Sequence, residues 1–301
     1  MKFRAPLVAL AWACAASASG REALAAGESA CYRLDGPAPW RYARPVEGAG
    51  YRIVLSSPDG RTLMARVEVE GAPLAVDAPF PPPPASLSPE GRAALAEPLA
   101  EDPDLDVVSR RLLTGAKTTL EAVERVVGFT AHRVRYSLPD GSQETASGTL
   151  RARRGSCVGR SLLAAELLLR AGVPVRQVTG VLAAQRAREL TLESRAVFNA
   201  ELGGVRHRWI EVFVPGLGWV PSDPSGLANA VTARHLALER QPPALFHVEV
   251  VSRSAELKRP ILETAGGGLT AYRPRGASAD EAALGAPLDP RALGAPAPAR
   301  R

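Results

Sequence analysis

Lysine is almost missing from this chain: only Lys2, Lys117 and Lys258 are found among 37 basic residues. The arginines that make up the rest are scattered, and the formal net charge is only +6. Nucleic-acid binding calls for a clustered basic stripe, so no nucleic-acid partner is expected. Cysteine is scarce as well, with Cys14, Cys31 and Cys157 the only three, and histidine is limited to His132, His207, His235 and His247. No Cys or His pair has ligand spacing, so no metal site is expected. A phosphate-cradling loop is also lacking, because Gly266-Gly267-Gly268 has no strand before it and no helix after it. No cofactor is expected. Long hydrophobic runs are absent too, so no stable membrane insertion is expected.

What is present is a 301-residue chain that is 46% hydrophobic, enough for one sizeable core plus a smaller unit or tails. Lys2 and Arg4 precede an apolar stretch over 6–16 and then small residues, the pattern of an export signal over 1–26 with cleavage after Ala18 or Ala25. The expected location is therefore periplasmic or secreted. Loss of that segment leaves Cys31 and Cys157, which is also the number one disulfide needs in an oxidising compartment.

Residues 51–57 and 61–70 alternate apolar and polar around Pro58-Asp59-Gly60, a hairpin within a small β unit over 27–79. The prolines at 81–84 cannot donate to a ladder, and 80–86 reads as a linker. Ser88-Pro89-Glu90 then opens a helix, and Thr118 with Glu121 forms a capping-box pattern ahead of Leu120, Val123, Val126 and Val127. Residues 133–138 alternate as a strand. Ser156 can cap a largely buried helix from Cys157 to Ala171, ended by Gly172 and Pro174. Strands are expected over 175–182, 206–214, 219–223 and 245–251. The connection 183–204 reads as too polar for core and as a candidate gating loop. The extension over 253–301 is rich in Gly, Ala, Pro and Arg from 266 on and reads as mostly disordered.

A thiol becomes a good nucleophile when a helix N-terminus or an imidazole stabilises its thiolate. Cys157 has the first device, with free N–H groups and a partial positive charge expected at the start of its helix. His207, at the head of His207-Arg208-Trp209-Ile210-Glu211-Val212, is a candidate for the second. Asp223, closing Gly218 to Asp223 before Pro224, could orient that imidazole. Trp209 and Trp219 read as core, and the other three histidines as surface or packing residues.

Three ordered blocks resemble the transglutaminase-like superfamily, a branch of the papain-like cysteine acyl-transfer fold: Gly155-Ser156-Cys157 with Ala171 to Arg176, His207 to Val212, and Gly218 to Pro224. Arg208, where a small residue is common, and Ser225, in place of the usual Thr, depart from the pattern without touching these residues. The resemblance implies an α+β fold over 87–252, a Cys-bearing helix packed on an antiparallel sheet, and a catalytic triad of Cys157, His207 and Asp223. It also implies acyl transfer on amide bonds of a protein or peptide substrate through a thioester, as a protease or amidase, or as a transglutaminase. The alternative is a non-catalytic protein- or cell-wall-binding module that keeps the fold. One geometric condition follows from the residues themselves. A four-residue turn pairing Val214 with Trp219 would set His207 opposite Gly226, leaving Asp223 three residues, roughly 10 Å, out of register. The triad therefore requires a turn centred nearer Pro215, or a bulge in the second strand.

Overall fold

The computed structural model describes residues 27–60, 62–70, 76–138, 144–190 and 192–254. The expected export segment and the tail from residue 255 onward lie outside the described residues. In chain order the strands and helices are β1 Glu28–Asp35, β2 Val46–Gly48, β3 Tyr51–Ser56, β4 Leu63–Val69, α1 Pro89–Ala96, α2 Pro103–Leu113, α3 Thr119–Arg133, β5 Arg135–Tyr136, α4 Ala146–Ala152, β6 Arg154–Gly155, α5 Cys157–Arg170, β7 Val175–Ala183, α6 Leu192–Arg195, β8 Gly204–Val214, β9 Gly218–Ser222, β10 His235–Leu238 and β11 His247–Arg253. Helices and antiparallel strands make the fold α+β, as expected.

Contacts divide the chain into two compact units. One gathers the described residues of Met1–Ala75, Val178–His207 and Ala230–Ile261. Its antiparallel sheet runs β11-β1-β4-β3-β2. The hairpin read at Pro58-Asp59-Gly60 joins β3 to β4, with the Asp59 carboxylate accepting the Thr62 N–H at 2.6 Å. β11 was expected among the later strands, yet it lies along β1 and pairs Leu34 with Val248. The outer half of β7 pairs with β10, from Thr179 opposite Leu238 to Leu182 opposite His235. The connection 183–204 differs from its polar reading: Leu190 and Leu202 are buried, and Leu190 packs with Leu182, Ala184 and Val205.

The second unit gathers the described residues of Val76–Gln177 and Arg208–Asn229. Its core packs α2, α3 and α5 through Leu105, Val123, Val126, Leu163 and Leu167, together with Ile210 and Val212 of β8. Buried leucines such as Leu163 and Leu167 each contribute about 1.5–3 kcal/mol of transfer free energy. The helix signals in the sequence act as read. Ser88 Oγ accepts from Gly91 N–H, Thr118 Oγ1 from Glu121 N–H and Ser156 Oγ from Val158 N–H. Helix α5 ends in a Schellman motif, with Val173 N–H on Leu168 O and Gly172 N–H on Leu169 O while Gly172 takes φ +77°. The stretch read as a linker is fastened to this unit: Phe80 N–H donates to Lys117 O, and Thr119 Oγ1 donates to Pro79 O. Of the strand expected over 133–138, only β5 pairs, in parallel with β6. Residues 119–133 continue as helix because Val134 N–H still finds Thr130 O and buries its own side chain. Among the described residues, no helix is long and apolar enough to cross a membrane.

Candidate active site

Cys157 is the first residue of α5, partly accessible, at the point where Arg154-Gly155 leaves its short pairing with β5. Neither Cys31 nor Cys157 is in a disulfide, which removes the one structural pairing that their number allowed. One turn further along the helix, Ser161 Oγ donates to Arg208 O at 3.0 Å, and Gln177 Nε2 donates to Ser161 O at 3.0 Å. These two bonds pin the first turns of α5 to β8 and β7.

The helix start is not the open cationic end that its sequence suggests. Glu144 Oε1 accepts the Ser156 N–H at 2.6 Å, and the other carboxylate oxygen accepts the Ser156 hydroxyl. Two glycines make room for that carboxylate. A Cβ on Gly159 would stand 2.6 Å from both Glu144 Oε1 and Thr149 Oγ1, and one on Gly155 would stand 3.0 Å from Thr149 Cγ2. The end of α5 thus already holds an anion, so less of its partial charge is left for a thiolate. Glu144 lies twelve residues before Ser156, beyond any local capping pattern, and so it left no signal in the sequence.

Asp223 follows β9 and is 2% exposed. Its Oδ1 accepts Ser225 N–H at 2.9 Å, and its own N–H donates to Leu227 O at 2.8 Å. The loop beyond is fastened to α3 by Thr130 Oγ1 donating to Pro224 O and by Asn229 Nδ2 donating to Leu120 O. The β8–β9 turn is tighter than the symmetric one considered above. Val214 pairs with Gly218 across a three-residue turn in which Gly216 takes φ +86°, and Gly218, the first residue of β9, takes φ +83°, values that glycine adopts without strain. Ser222 therefore faces Ile210 rather than Glu211, one residue nearer His207 along β8.

His207 lies in β8 and is 8% exposed. It closes a segment of the first unit, whereas Cys157 and Asp223 belong to the second. Its ring packs edge-on to His235, with centroids 5.4 Å apart and an interplanar angle of 64°. His235 was read as an ordinary surface or packing residue, yet it is completely buried beside the candidate base. Arg176 has a partner: its Nε lies 2.6 Å from Glu211 Oε2, and its guanidinium stacks 4.2 Å above the Trp219 ring. Trp209 is core as expected, whereas Trp219 is half-buried under that arginine.

Residues 107–224 match the family model of the Transglutaminase-like superfamily. Among curated proteins none matches. Solved structures with a similar course include a provisionally assigned cysteine protease from Cytophaga hutchinsonii, at 14% identity and TM-score 0.41 over 75% of this chain and 86% of that one. The periplasmic domain of TgpA from Pseudomonas aeruginosa aligns at 15% identity and TM-score 0.40, covering 67% of this chain and 71% of that one. The transglutaminase of red sea bream aligns at 10% identity and TM-score 0.35, covering 72% and 48%. The matched residues, 107–224, contain all three blocks noted in the sequence.

Proposed function

We propose that the chain is an exported cysteine-dependent acyl-transfer enzyme acting on amide bonds of proteins or peptides, with Cys157 as nucleophile, His207 as general acid and base, and Asp223 as the group that orients the imidazole. The observation that carries this reading is the position of Cys157. It opens a buried helix one turn ahead of Ser161, whose hydroxyl is bonded to the carbonyl of Arg208, the residue next to His207. The tight turn supports Asp223: it sets Ser222, the residue before it, opposite Ile210 rather than Glu211, one residue nearer His207 along β8.

In this mechanism the Cys157 thiolate attacks the amide carbon and the C–N bond breaks. The imidazolium of His207 gives its proton to the departing amine, leaving a thioester on Cys157. Water, deprotonated by His207, then attacks the thioester, releases the acid and restores the thiol. A first-turn N–H of α5 is assigned to the oxyanion. Hydrolysis is favoured over amine transfer, since no acceptor site that would exclude water is evident in the sequence. The test is intact-mass analysis of the protein after incubation with a peptide library, with and without a primary amine. An acyl adduct on Cys157, absent from Cys157→Ala and discharged to a shortened peptide, is expected. Turnover by Cys157→Ala, or an adduct on another residue, contradicts the reading.

A further inference from the structure

His235 heads β10 with none of its surface exposed, and its surroundings are tied down from several sides. Tyr32 Oη donates to Ala233 O at 2.6 Å, Ala233 N–H donates to Glu28 Oε2 at 3.1 Å, and the Tyr51 hydroxyl donates to the carbonyl of His235 itself. The ring is also fixed. Nδ1 lies 3.1 Å from the Thr232 backbone nitrogen and 3.0 Å from Thr232 Oγ1. A backbone amide can only donate, so Nδ1 must present its lone pair, and in the neutral ring the proton sits on Nε2. A second proton on Nδ1 would point at the Thr232 N–H. Filling this volume alone would be met more cheaply by Phe or Leu, which bring no polar nitrogens to satisfy. The ring packs against that of His207, in the edge-to-face arrangement that aromatic pairs favour.

We propose that His235 is a positioning residue: its Nε2-protonated ring, locked by Thr232, holds the plane and direction of the His207 imidazole. The proposal rests on the reading of His207 as the base, but its first readout does not need catalysis.

With only four histidines in the chain, 15N-histidine labelling resolves each ring, and two-bond 1H–15N spectra report its tautomer. In the wild-type protein the neutral ring of His235 is expected to show the Nε2–H pattern, read at about pH 8, where an ordinary histidine is uncharged. His235→Asn keeps an oxygen for the Thr232 N–H and removes the ring. It is expected to move the His207 signals and to slow alkylation of Cys157 at about pH 6 by about tenfold or more. A folded His235→Asn protein with unchanged His207 signals and alkylation overturns the proposal. So does a wild-type His235 whose neutral ring carries its proton on Nδ1, whether or not the variant folds. A wild-type Cys157 whose alkylation ignores His207→Ala would instead sink the reading of His207 as base, so the two failures are seen separately.

Discussion

Glu144 places a carboxylate at the start of α5, beside the residue that precedes the proposed nucleophile Cys157. Its carboxylate takes both the N–H and the hydroxyl of Ser156, the residue before Cys157. A negative charge at that distance works against a thiolate, whereas an imidazolium works for it. Glu144→Gln keeps an oxygen for the Ser156 N–H and removes the charge. Alkylation of Cys157 at about pH 6 should then rise by about three- to tenfold, read by mass spectrometry on the labelled peptide. An unchanged rate would mean that the carboxylate is only a cap. At this scale the sequence was legible where a residue acts through its neighbours in the chain. Cys157, His207 and Asp223 each sit in a short block with a local meaning: a helix start, a strand and a strand end. Glu144 and His235 act across space on residues far from them in sequence, and neither has a neighbouring pattern that marks it.

Among the elements, α2 shows how a cap ties two helices together. Asp102 Oδ1 accepts the N–H groups of Asp104 and Leu105, while Oδ2 accepts the Ser147 hydroxyl and meets Arg151 at 3.2 Å. Burial alone would push this carboxyl up. The Ser147 hydroxyl, the two backbone N–H groups and Arg151 outweigh it and hold the group below its ordinary value of 3.8. A depressed carboxylate stabilises the fold above its unfolded pKa, and that contribution is lost as the pH falls through the folded one. Asp102→Asn should therefore cost about 1 kcal/mol at about pH 7 and converge on the wild type at about pH 2.5, read from urea midpoints. A penalty that stays constant with pH would refute the charge. Helix ends were readable because caps are local: Ser88, Thr118, Ser156 and Gly172 all act where the sequence puts them. The pairing of β11 with β1 was not readable, since the two ends of the described chain share no local signal. The turn at Gly216 was left open between a four-residue loop and a tighter one, because Pro215-Gly216-Leu217-Gly218 suits either, and the tighter one forms.

For the whole molecule, the proposal is that Cys157 at a helix start, His207 in a strand and Asp223 at a strand end act as one reactive group. The three blocks that suggest it were legible in the sequence, and Cys157 opens α5, His207 lies in β8 and Asp223 follows β9. How the chain divides into units was harder to read, because residues late in the chain return to complete the first sheet and the proline run is fastened to the helical unit. The central claim is that Cys157 is a nucleophile whose thiolate depends on His207. The measurement that tests it most directly is the rate of iodoacetamide alkylation of Cys157 across pH, mapped by peptide to separate it from Cys31, in the wild type and in His207→Ala. The account predicts a wild-type rate already at its plateau well below the ordinary thiol value of about 8.5, and a His207→Ala protein that needs about pH 8.5 or above to react. A wild-type Cys157 that titrates near 8.5, superimposable on His207→Ala, would contradict it.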